Sequence, residues 1–78
     1  MIIKVKLCAA LEKYGNGKIG RDNSLDVPEN ITSQQLVNML NLPLIGGKIF
    51  IINGIPKDIK SEIRKGDEVL IYSLTGGG

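Results

Sequence analysis

Seventy-eight residues, 42% of them apolar, make one small domain with material for a single core and little stability to spare. A formal charge of +2 is too weak to argue for a nucleic-acid partner, and no apolar run approaches the length of a membrane span. With no histidine, no tryptophan and one cysteine, the chain cannot build a thiolate or imidazole zinc site, a Cys–His or Ser–His pair, an internal disulfide or an aromatic platform for bases. The expectation is a soluble cytoplasmic protein with no bound cofactor, no metal and no catalytic residue of its own. The opening "MIIKVKLCAALEKYG" is not patterned as a signal peptide, because its charges alternate with the apolar residues instead of preceding them.

Taken in chain order, "IIKVKLC" (Ile2 to Cys8) alternates, with Ile3, Val5 and Leu7 on one face and Lys4 and Lys6 on the other. A period of two predicts a half-buried strand. "EKYGNGKIGRDN" is polar and glycine-rich and predicts a long loop. Its "GNGKIG" (Gly15 to Gly20) matches G-x-G-x-x-G, but that fingerprint needs a following helix, and "RDNSLDVPEN" has no helical period and contains Pro28. A flexible hairpin loop is the better reading. Leu25 and Val27 face inward on a short second strand, which Pro28 stops because it lacks a ladder donor.

"ITSQQLVNMLNLP" carries the clearest local signal. Thr32 is placed as N-cap, Gln35 completes a capping box, and Ile31 and Leu36 stand at the positions of a hydrophobic staple. Leu36, Val37 and Leu40 form the apolar stripe of an amphipathic helix of about three turns, ended near Leu42 by Pro43. "GKIFIIN" is apolar on both faces, as a central strand should be. Asn53-Gly54 marks a turn. "PKDIKSEIRKGD" alternates in charge sign like a solvated face, with Ile59 and Ile63 as pins for an irregular or short helical turn. Gly46-Gly47 reads as a loop and Gly66-Asp67 as a turn. "EVLIYSL" (Glu68 to Leu74) is the last strand. One helix across one face of a four-stranded mixed sheet buries this pattern most simply, with the last strand joining the first in parallel at the centre.

Strand, strand, helix, strand, strand and a closing glycine run resembles the β-grasp of ubiquitin. More narrowly, it resembles the MoaD/ThiS sulfur-carrier family. The likeness rests on the opening strand running into "CAALEKYG", on "IFIINGIPKD", and on "IRKGDEVLIYSLTGGG". The first of these is similar to the small subunit of molybdopterin synthase. The extra glycine, Gly76, departs from the family's usual pair, and nothing at Cys8 makes it a sulfur donor. The resemblance implies an α+β, ubiquitin-like β-grasp domain over residues 1–74 and a flexible tail over 75–78. It implies that an adenylyltransferase related to ubiquitin-activating enzymes uses ATP to adenylate the Gly78 carboxylate. A sulfur donor then converts it to a thiocarboxylate that a downstream synthase consumes. The sulfur would go to molybdopterin or tungstopterin, or to thiamine, amino-acid or tRNA thiolation.

The glycines suit that task on physical grounds. Gly76, Gly77 and Gly78 lack a Cβ and can take an extended path through a narrow channel. Ordering them costs about 1–2 kcal/mol per residue, which is recovered on release. If Val69 and Ile71 face the helix, then Leu70, Tyr72, Phe50 and Ile52 are candidates for an apolar docking patch on the open face. Two other classes fit the same residues: a protein modifier joined to target lysines through Gly78, and an interaction module whose glycines are incidental.

Overall fold

A computed structural model describes residues 1–43 and 47–74 of the chain. Strand β1 (Ile2–Leu7) alternates as its sequence demands, with Ile3, Val5 and Leu7 buried. It pairs antiparallel with β2 (Ser24–Asp26) and parallel with the last strand, β5 (Glu68–Ser73). Between them lie β3 (Lys48–Ile52) and β4 (Ile55–Lys57), and the five-stranded mixed sheet has the order β2-β1-β5-β3-β4. The expected parallel pairing of first and last strands at the centre is present. The expected count of four strands is corrected to five.

The additional strand follows from Asn53-Gly54. Both residues have positive φ, 53° and 82°, which a two-residue type I′ hairpin requires. Such a turn makes Ile52 and Ile55 a hydrogen-bonded pair. Pro56, one step on and opposite Ile51, therefore directs its nitrogen outward, where a missing N–H costs the sheet nothing. The same proline leaves the β4 edge without a central donor, which blunts strand addition. At the other edge, the Ser24 N–H donates to Asp22 Oδ1 (3.2 Å) and its carbonyl accepts from the Gly20 N–H (2.8 Å).

Helix α1 (Ser33–Met39) begins at Thr32 with the expected capping box. Every early donor of the helix is satisfied. The Thr32 N–H donates to Gln35 Oε1 (2.9 Å) and the Gln35 N–H to Thr32 Oγ1 (3.2 Å). The Ser33 and Gln34 N–H groups donate to the carbonyls of Ser61 (3.0 Å) and Ile59 (2.8 Å). The segment after β4 thus covers the start of the helix. It is irregular, held by an Asp58 turn and by buried Ile63, while Ile59 is exposed. The helix is one turn shorter than expected. Asn41, at φ 55°, ends it in a Schellman arrangement, with the Leu42 N–H on the Val37 carbonyl (3.1 Å) and the Asn41 N–H on the Asn38 carbonyl (3.1 Å). Termination thus precedes Pro43.

Leu36, Val37 and Leu40 share one buried cluster with Ile3, Val5, Leu7, Val69 and Ile71. Ser33 is fully buried with them, and its hydroxyl has no hydrogen-bond partner among the described residues. The connection from β1 to β2 is more ordered than a glycine-rich loop. Ala9–Gly15 forms a 3₁₀ helix that buries Leu11 completely. Gly15 to Lys18 follow as a turn closed by the Lys18 N–H on the Gly15 carbonyl (3.0 Å).

Candidate docking face and the root of the C-terminal segment

The sheet has one face under the helix and one that, among the described residues, carries no helix. Lys4 and Lys6 of β1, Leu70 and Tyr72 of β5, and Ile49 and Ile51 of β3 belong to the second face. The cross-strand register arranges them in rows. One row runs Lys6, Leu70, Ile51, Pro56, and the next toward the C-terminal end of β5 pairs Tyr72 with Ile49. These four large apolar side chains, Ile49, Ile51, Leu70 and Tyr72, are all half-buried. A shallow groove of about 450 Å³ crosses this face, lined in part by Lys4, Lys6, Ile51, Glu68 and Leu70.

Of the four residues expected in the docking patch, Leu70 and Tyr72 lie on this open face. The other two do not. Phe50 and Ile52 are 2% and 5% exposed and belong to the core. The reason is register: Phe50 lies opposite Ile71 and Ile52 opposite Val69, and directly opposed residues share a face. Their places on the open face are taken by Ile49 and Ile51. Alternation could not have distinguished the two sets, because "KIFII" is apolar at nearly every position. The pairing with β5 is the signal that separates them.

At the end of this face away from the C-terminus, Lys4 Nζ pairs with Asp22 Oδ2 (3.1 Å) and also reaches the Asp22 carbonyl (3.0 Å). The Asp22 carboxyl is drawn down from 3.8 to about 2, first by the Ser24 hydroxyl, then by the Lys4 ammonium and the Ser24 N–H. At the same end, Asn53 ties the β3–β4 turn to β5. Its Nδ2 donates to Asp67 Oδ1 (2.9 Å), and its Oδ1 accepts from the Glu68 N–H (3.0 Å). "NG" and "GDE" thus meet in one clamp. Lys6, in the apolar row, is exposed and has no ion pair among the described residues.

At the opposite end of β5 the chain leaves the sheet through Leu74. The Leu74 N–H donates to the Gly47 carbonyl (2.9 Å), and a Cβ on Gly47 would stand 2.7 Å from Leu74 Cδ1. The backbone hydrogen bond to Gly47 therefore sets where the chain emerges, a role beyond the loop expected from sequence, whereas a Cβ there would meet only the tip of the exposed Leu74 side chain. Cys8 is partly exposed at this end, its N–H donating to the Ile71 carbonyl (3.0 Å). The expected activation residues, Gly76, Gly77 and Gly78, lie outside the described residues, as does Gly46.

No group of three or more His, Cys, Asp or Glu is placed to hold a metal among the described residues, and no described helix is long and apolar enough to cross a membrane. No family model, no curated protein and no solved structure matches the chain.

Proposed function

We propose that this chain is a β-grasp sulfur carrier, working through a thiocarboxylate formed on Gly78. What carries the reading is the course of β5. It runs through the middle of the sheet, parallel to β1, and leads straight from Leu74 into Thr75 and the glycines. The last strand is thereby held on both sides, by β1 and by β3, and its exit is fixed at Gly47. A rigid root followed by residues without side chains suits a segment that must be threaded into a partner's active site and withdrawn.

The chemistry then belongs to the partners. A carboxylate is a poor electrophile. An activating enzyme would join the Gly78 carboxylate to the α-phosphate of ATP and release pyrophosphate. Attack by a sulfur donor at the acyl carbon would expel AMP and leave –COS⁻. Transfer of that sulfur to a synthase-bound acceptor, with water supplying the oxygen, would restore the carboxylate. The open face, with Ile49, Ile51, Leu70 and Tyr72 at the tail end, supplies the surface by which a partner holds the body of the carrier. Molybdopterin or tungstopterin synthesis is the favoured destination, on the likeness of "KVKLCAALEKYG" to the synthase small subunit.

ATP–pyrophosphate exchange tests the activation step. An adenylating enzyme from the same genome should exchange label only when the carrier is added. Removal of Gly76, Gly77 and Gly78 should abolish the exchange, and Leu70→Ser with Ile51→Ser should raise the carrier concentration needed for half-maximal rate at least tenfold. Exchange that persists without the three glycines would refute the proposal.

A further inference from the structure

The chain contains two Asn-Gly dipeptides, Asn16-Gly17 and Asn53-Gly54. Asparagine before glycine is the pairing most open to intramolecular attack, because the glycine nitrogen has no neighbouring side chain to shield it. Both asparagines are exposed, and both glycines have positive φ, 78° and 82°. Exposure and turn geometry therefore do not separate the two sites. What holds the carboxamide does.

The Asn53 carboxamide is engaged at both atoms, Nδ2 on Asp67 Oδ1 (2.9 Å) and Oδ1 under the Glu68 N–H (3.0 Å). Its carbon cannot turn toward the Gly54 nitrogen without giving up both bonds. Asn16 stands at the second position of a type II turn, φ −61° and ψ 125°, closed by the Lys18 N–H on the Gly15 carbonyl (3.0 Å). Its carboxamide has no hydrogen-bond partner among the described residues, and a Cβ at Gly17 would meet nothing within 4 Å.

We propose that Asn16 is a site of spontaneous deamidation in the folded protein and that the Asp67–Glu68 clamp protects Asn53 from the same reaction. The Gly17 nitrogen attacks Asn16 Cγ and forms a new N–C bond. The Cγ–Nδ2 bond breaks, and ammonia leaves with the proton that the Gly17 nitrogen gives up. Water then opens the succinimide at either carbonyl, giving aspartate or isoaspartate at this position. The net change is the carboxamide plus water going to a carboxylate plus ammonium, and the formal charge of the chain falls from +2 by one. The isoaspartyl form also adds a methylene to the backbone of the turn. This turn belongs to the connection from β1 to β2. The reaction itself is independent of the sulfur-carrier reading.

The test is peptide mapping by mass spectrometry after incubation of the folded chain at mildly alkaline pH, with isoaspartate detected by an isoaspartyl methyltransferase. Asn16 should convert in the folded chain, more slowly than in urea because its ψ of 125° must first rotate to bring the Gly17 nitrogen onto Cγ, and Asn53 should convert roughly 10- to 100-fold more slowly than Asn16, the factor expected for two hydrogen bonds that must first break. Asp67→Ala should speed conversion at Asn53 and leave Asn16 unchanged, while Asn16→Gln should abolish the signal at position 16. Equal rates at the two sites in the folded chain, or an Asn16 that stays intact while the unfolded chain converts, would overturn the proposal.

Discussion

Replacing Phe50 separates the two faces of the sheet by energy. Phe50 is 2% exposed and lies opposite Ile71 in the shared core. Truncating a buried phenylalanine to alanine costs about 3–5 kcal/mol, the lost transfer energy plus the cavity left behind. A 78-residue domain has about 4–12 kcal/mol in total. Phe50→Ala should therefore remove about a quarter or more of the stability, and Phe50→Leu, which leaves most of the volume, about 1 kcal/mol. Leu70→Ala, on the half-buried open face, should cost within about 1 kcal/mol. The chain has no tryptophan, so urea unfolding is best followed by far-UV circular dichroism. With a slope of about 1 kcal/mol per molar, Phe50→Ala should lower the midpoint by about 3 M or unfold the chain outright, with Phe50→Leu as the graded control. A larger loss for Leu70→Ala than for Phe50→Ala would refute the assignment of faces, and with it the docking surface.

Asn53→Ala should cost about 1–3 kcal/mol, because it removes the clamp and the polar side chain that makes φ 53° tolerable. Asn53→Gly should cost less, because glycine accepts that φ, and thermal melts of the two variants divide clamp from strain. Ser33→Ala should be neutral or stabilising by up to about 1 kcal/mol in chemical denaturation, since the buried hydroxyl it removes has no partner among the described residues. The pH dependence follows from Asp22, whose carboxyl is drawn from 3.8 to about 2 on folding. A depressed carboxylate stabilises the fold above its unfolded pKa and loses that effect as pH falls through the folded one. The melting-temperature gap between wild type and Asp22→Asn should accordingly be open at about pH 6 and close between about pH 4 and pH 2. A gap that widens on acidification would contradict the linkage.

Much of this was written locally in the chain. The Thr32–Gln35 box is a short-range signal, and the structure contains it because every group involved lies within one turn. The alternation of β1 survives for the same reason. What sequence could not reveal depended on distant partners. Phe50 and Ile51 are equally suitable for burial, and the register with β5 chooses between them. Pro56 argues against a strand until its nitrogen is known to face outward, which the two-residue turn at Asn53-Gly54 decides. Pro43 appeared to end the helix, but Asn41 does so first, since asparagine tolerates the left-handed conformation that the Schellman cap needs. Of the candidate site, Leu70 and Tyr72 were legible from β5 alone, whereas Ile49, Ile51 and the contact of Gly47 with Leu74 required the assembled sheet.

Intact-mass spectrometry tests the central claim most directly. The chain is incubated with an adenylating enzyme from the same genome, ATP and a sulfide source. The sulfur-carrier account predicts a mass gain equal to one oxygen replaced by sulfur, dependent on ATP and lost when Gly76, Gly77 and Gly78 are removed. Unchanged mass with every such enzyme in the genome, with no adenylate formed, would contradict it and favour an interaction module. Covalent attachment to lysines in place of the sulfur gain would favour a protein modifier.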